Sequence, residues 1–87
     1  MYVTIEHEIK DSKSFFEKAD AVVNNKPSSL KLHQLLPSQD GKRAVCLWEC
    51  SQVSVLKDYI EREVGAYSKN TYYAVQADKA IGLPAIA

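Results

Sequence analysis

Leu30-Lys31-Leu32-His33-Gln34-Leu35-Leu36, then Pro37-Ser38-Gln39-Asp40-Gly41-Lys42, then Arg43-Ala44-Val45-Cys46-Leu47-Trp48-Glu49-Cys50 run on without a break in the middle of the chain. The outer two segments carry the aliphatics Leu30, Leu32, Leu35, Leu36, Val45 and Leu47 with Trp48, while the middle one is built from turn formers, which reads as two strands joined in a hairpin. A two-residue turn at Asp40-Gly41 or a four-residue loop from Ser38 makes every pair of facing residue numbers sum to an odd value. Under that parity Leu30, Leu32, Gln34 and Leu36 share a face with Val45, Leu47 and Glu49. Lys31, His33 and Leu35 share the other with Ala44, Cys46 and Trp48. An odd loop would reverse the grouping; the even loop is preferred because it gathers the aliphatics on one side.

On the N-terminal side of this hairpin, residues 2–9 alternate, with Val3, Ile5, His7 and Ile9 on one face and Tyr2, Thr4, Glu6 and Glu8 on the other, which predicts a first strand. Asp11, Ser12 and Ser14 then offer helix caps. Phe15, Phe16, Ala19, Val22 and Val23 follow at helical spacing, and Pro27 ends that helix near Asn24-Asn25 by pushing Lys26 out of helical geometry. Beyond the hairpin, Ser51 is a candidate cap for a second helix with Val53, Leu56, Tyr59, Ile60 and Val64 on its buried side. Gly65 is expected to end it in the left-handed conformation. Residues 71–75 form a short fourth β-prone run, and residues 76–87 make an apolar tail containing Ala80, Ile81, Leu83, Pro84 and Ile86. The order is β-α-β-β-α-β, an α+β chain whose two helices cover one face of a four-stranded antiparallel sheet.

The chain has 87 residues, 46% of them hydrophobic, with eleven basic residues against eleven acidic ones, so one globular domain over residues 1–87 is expected rather than a disordered segment. Its positive charge is dispersed and matched, which argues against nucleic acid as a partner. A transmembrane helix needs about 20 apolar residues in succession, far more than the run 44–48 offers, and residues 1–8 carry no secretory pattern. A cytoplasmic location without a membrane partner is expected. Cys46 and Cys50, four apart on one strand, stand roughly 13 Å apart, too far for a disulfide and unlike a tight zinc-binding pair, so both are read as reduced thiols.

With that topology, the stretches 33–42, Cys46-Leu47-Trp48-Glu49, Ser68-Lys69-Asn70-Thr71-Tyr72-Tyr73 and Ala80-Ile81-Gly82-Leu83-Pro84 give the chain a resemblance to small bacterial members of the ferredoxin-like dimeric α/β-barrel superfamily. The resemblance implies a homodimer in which two sheets pack face to face, and the apolar tail, through Ile81 and Leu83, is expected to help hold that dimer or to close its edge. It also implies a range of functions, from cofactor-independent monooxygenases and isomerases to proteins without a demonstrated activity. No reaction is fixed by it, since fold alone does not select a chemistry.

Two groups of side chains are the candidates for function. The first and third strands are expected to be parallel neighbours, which brings His7 and Glu49 together near their C-terminal ends among aliphatics on the helix-covered face. There an imidazole and a carboxylate adjust one another's pKa and could act as a catalytic proton-transfer pair. The structural alternative is a paired His and Glu at the rim of the core. The other face is expected to collect Glu6, Glu8, Lys31, His33, Cys46 and Trp48, with Tyr2 and one of Tyr72 and Tyr73. His33, Trp48, Glu6, Tyr72 and Tyr73 are thus the candidate ligand-binding residues, in an inter-subunit cleft or a plain dimer interface. His33 with Glu6 or Glu8 is a second-rank candidate for a divalent metal, but two histidines without a ligand spacing assign no metal or other cofactor. The expected role is a small homodimer that binds a small, partly apolar molecule. A cofactor-independent enzyme using His7 and Glu49 is the alternative.

Overall fold

A computed structural model describes residues 1–84, so Ile86 of the predicted tail lies outside the described residues. Along these residues the elements are β1 (Tyr2–Ile9), α1 (Ser12–Asn25), β2 (Lys31–Pro37), β3 (Arg43–Glu49), α2 (Val53–Val64) and β4 (Ser68–Ala74). The strands form one sheet in the order β2-β3-β1-β4, with every neighbouring pair antiparallel, which is the ferredoxin-like arrangement.

Local chemistry accounts for the element ends. Asp11 caps α1, accepting from the Ser14 backbone N–H at 3.2 Å and from the Ser14 hydroxyl at 2.8 Å, and Lys26 leaves the helix with ψ 147° ahead of Pro27. The cap expected at Ser51 is absent: Gln52 occupies that position and makes no side-chain cap hydrogen bond. Gly65 does end α2, but with a right-handed φ of −60°. Its smallness is used differently, since a Cβ there would collide with the Glu61 carbonyl oxygen that accepts its backbone N–H. In the hairpin, Asp40 Oδ1 accepts from the Ser38 hydroxyl and the Lys42 N–H, and Gly41 takes φ +72°.

The direction of β3 departs from expectation. β1 lies antiparallel to β3, with Tyr2 opposite Glu49 and His7 opposite Ala44. The reason is geometric: α1 carries the chain from β1 to β2 as a parallel crossover, the hairpin reverses it, and β3 must therefore oppose both.

The face assignment changes as well. Near the turn the odd parity holds, with Leu36 opposite Val45 and Leu35 opposite Cys46, but an irregularity between Leu32 and Gln34 makes His33 the extra residue. Leu32 then stands opposite Trp48, and Lys31 opposite Glu49. The helices cover the face of Val3, Ile5, His7, Ala44, Cys46 and Trp48, all of them buried, rather than that of Val45 and Leu47. Phe15 and Val22 of α1 and Leu56, Ile60 and Val64 of α2 complete this core, and the Tyr59 hydroxyl ties the helices by donating to the Val22 carbonyl at 3.1 Å. No helix among the described residues is long and apolar enough to cross a membrane.

Candidate functional site

Alternation along β1 turns His7 under the helices, and pairing on both sides of that strand surrounds it. Asn70 of β4 lies opposite it, and Cys46 of β3 lies on its diagonal, two residues beyond Ala44. His7 Nδ1 is 2.6 Å from Asn70 Oδ1, and His7 Nε2 is 3.3 Å from Cys46 Sγ. The amide orientation fixes the proton positions. Asn70 Nδ2 donates to Glu61 Oε2 at 2.6 Å, so its Oδ1 is the acceptor, taking hydrogen bonds from the Ser68 hydroxyl at 2.7 Å and from His7 Nδ1–H. In a neutral imidazole Nε2 is then bare, and the Cys46 thiol donates to it.

Burial holds His7 below its ordinary pKa of 6.5, outweighing the Asn70 hydrogen bond and the Glu61 charge that favour the imidazolium. Burial likewise pushes the Cys46 thiol up to about 12, so thiol and imidazole form a neutral pair and not an ion pair. The network reaches the surface at Glu61, whose Oε2 also accepts from the Tyr72 hydroxyl, while Lys57 Nζ lies 5.9 Å from the Tyr72 ring centre. Burial and the neighbouring carboxylate raise the Tyr72 pKa.

Beside His7 and Cys46 lies an apolar cavity of about 30 Å³, walled by Phe15, Val22, Trp48, Ile60 and Val64. Ala19, Val23, Leu32 and Leu35 complete its lining and are half-buried, which places the mouth between α1 and the edge strand β2. Trp48 is 1% exposed, yet its indole Nε1–H has no hydrogen-bond partner among the described residues. It is near enough to Cys46 to favour the thiolate, though outside hydrogen-bond geometry to the sulfur. A buried donor without an acceptor costs about 1–3 kcal/mol, so this one is a place where an incoming acceptor would be welcomed.

The predicted His7–Glu49 pair does not form. Antiparallel pairing sends Glu49 to the opposite end of the sheet and to the other face, where its Oε1 meets His33 Nε2 at 2.9 Å and the Tyr2 ring packs 5.5 Å from the His33 ring. The His33 hydrogen bond holds the Glu49 carboxyl below its ordinary pKa. Of the expected ligand-binding residues, His33, Glu6 and Tyr73 lie on the open face, whereas Trp48 and Tyr72 lie on the helix-covered one. Glu6 joins Leu36, Pro37, Arg43 and Val45 around a groove of about 320 Å³ at the hairpin end of the sheet, away from His33. Among the described residues no group of three His, Cys, Asp or Glu side chains could hold a metal ion.

Three members of the network, Cys46, Asn70 and Glu61, were not legible as site residues. The missed signal for Asn70 is the alternation Ser68, Asn70, Tyr72, visible only if β4 begins three residues earlier than its β-prone core. The chain matches no family model, no curated protein and no solved structure.

Proposed function

We propose that the chain is a cytoplasmic, homodimeric small-molecule-binding protein whose ligand, small and partly apolar, sits between sheet and helices with a hydrogen-bond acceptor against Trp48. The observation that carries this reading is the unpartnered Trp48 N–H in the wall of an otherwise apolar cavity, beside His7 and Cys46. The cavity's volume of about 30 Å³ is about that of one water, so a ligand with one acceptor and a short hydrocarbon body enters as the half-buried Ala19, Val23, Leu32 and Leu35 at its mouth move apart.

The homodimer is supported by the second face of the sheet. It carries half-buried Val45 and Leu47 with the exposed Leu36 and Tyr73, and no helix among the described residues covers it. The tail approaches this face where the Tyr2 hydroxyl donates to the Pro84 carbonyl at 3.4 Å, leaving Ile81 fully exposed for a partner to bury. Free, buried cysteines suit a reducing compartment.

Trp48 is the sole tryptophan, so one indole N–H resonance reports the cavity. Titration with 2-butanone should move that resonance saturably, and cyclopentane, which lacks an acceptor, should perturb the cavity methyl groups without moving it downfield. Failure of both probes to give a saturable change at the cavity would overturn the binding reading. Light scattering that finds a monomer at micromolar concentration would overturn the dimer.

A further inference from the structure

We propose that two copies of the chain meet by their open sheet faces about a two-fold axis lying across the strands, so that Arg43 of each copy pairs with Glu49 of the other and Ile81 of each tail enters the groove at the other's hairpin. This rests on the homodimer reading and names the residues of the two copies that meet.

Along the middle of the open face, Arg43 of β3 stands opposite Glu8 of β1, Val45 opposite Glu6, Leu47 opposite Thr4, and Glu49 opposite Tyr2. The hairpin end of β3 therefore carries a cation on this face and the far end an anion, with two aliphatics between them. Arg43 is exposed and makes no ion pair among the described residues. Glu49 accepts from His33 through Oε1, and its Oε2 has no partner among the described residues. Six residues of one strand hold Arg43 and Glu49 roughly 20 Å apart, so they cannot meet within a chain.

A two-fold interface has to be self-complementary. An axis along the strands would lay β3 of one copy on β1 of the other, setting Val45 on Glu6 and Leu47 on Thr4 and burying a carboxylate against an aliphatic. An axis across the strands lays β3 on β3 with its direction reversed. Val45 then meets Leu47, Arg43 meets Glu49, and each contact is made twice. Apolar surface is covered by apolar surface, and each of these charges faces its opposite.

The same reversal brings the tail of one copy over the hairpin of the other. The tail lies at the Glu49 end of the face, where the Tyr2 hydroxyl donates to the Pro84 carbonyl and Tyr2 is buried. Gly82, at φ +89°, bends the chain just before that contact and leaves Ile81 fully exposed. At the hairpin end, Leu36, Pro37 and Val45 line the groove of about 320 Å³, with Glu6 and Arg43 beside them. The exposed isoleucine and the groove stand at opposite ends of one chain's strands and at the same end of the pair.

Sedimentation equilibrium of the full chain should give a dimer. Arg43→Glu should raise its dissociation constant by about tenfold or more, because symmetry then sets two pairs of carboxylates together, and Glu49→Arg should do the same with two pairs of cations. The double variant Arg43→Glu/Glu49→Arg exchanges the signs and should return to within about threefold of the original constant. Ile81→Cys and Leu36→Cys chains, mixed under mild oxidation, should form a disulfide that joins the two introduced thiols across copies, since the native Cys46 and Cys50 are buried. A monomer from the unaltered chain would overturn this pairing together with the dimer reading. A dimer indifferent to Arg43→Glu, a double variant no tighter than the weaker single one, or no disulfide between positions 36 and 81 would overturn the pairing and leave the homodimer standing.

Discussion

The chain's two histidines occupy opposite faces of one sheet and show how differently the same side chain can be used. His7, 2% exposed, is bonded through both ring nitrogens to uncharged partners and is kept neutral by burial. His33 leans on Tyr2 at the open face and holds a carboxylate, Glu49, whose side chain is 39% exposed. Desolvation decides the first case and direct pairing in contact with water the second. A buried polar group has to be satisfied by neighbours that fold alongside it, whereas an exposed pair is diluted by solvent and salt. The network around His7 should therefore dominate both stability and chemistry, and that around His33 should contribute to assembly.

The largest contrast between the faces is expected at Trp48 and Leu36. Trp48→Ala empties the cavity wall and should cost about 3–5 kcal/mol in urea unfolding. Leu36, 56% exposed, should tolerate Leu36→Ala within about 0.5 kcal/mol when measured on the separated chain. Leu36→Glu should break the proposed dimer in light scattering without unfolding the domain; retained dimer would move the interface off this face.

Next in size is Asn70→Ala, which strips a partner from His7, Ser68 and Glu61 together and should cost about 1–3 kcal/mol. Because these groups form one network, the loss should be strongly non-additive with His7→Ala. The pair His7→Ala and Glu49→Ala should instead be additive, since the two residues stand roughly 17 Å apart along the strand pair.

The pH dependence separates the faces again. His7 is held below 6.5 in the folded chain, so the unfolded chain binds a proton that the folded chain resists, and stability should fall as pH drops below about 6.5. His7→Gln should remove that decline. Glu49, held below 4.5 by His33, adds stability above its unfolded pKa that disappears as pH falls through its lower folded value. Glu49→Gln should remove only its own share of the acid limb, beside Asp11 and Asp40, and should be the smallest change at neutral pH in the separated chain, because the Glu49 carboxylate is in contact with water there.

These contrasts also explain what could be read from the amino-acid order. Helix and strand positions are local properties, so the stripe Leu56, Tyr59, Ile60, Val64 and the alternation Val3, Ile5, His7 are both found buried as read. The site required pairing across strands, which is not local. One wrong direction for β3 joined His7 to Glu49 in place of Cys46. One extra residue at His33 shifted the register for the start of β2, bringing Leu32 opposite Trp48 and Lys31 opposite Glu49. Val45 and Leu47 are as apolar as Ala44 and Cys46, so hydrophobicity alone could not choose the covered side. Trp48 could have: the largest side chain of the strand gains most from burial.

The most direct test of the Cys46–His7–Asn70 arrangement is the protonation state of the His7 ring, read from its nitrogen chemical shifts with nitrogen-15 histidine at pH 7. The hydrogen-bond directions predict a neutral ring with its proton on Nδ1 and a bare Nε2 whose shift changes in Cys46→Ala and not in Glu49→Gln. A proton on Nε2, a charged imidazolium, or a response to Glu49→Gln in place of Cys46→Ala would contradict it.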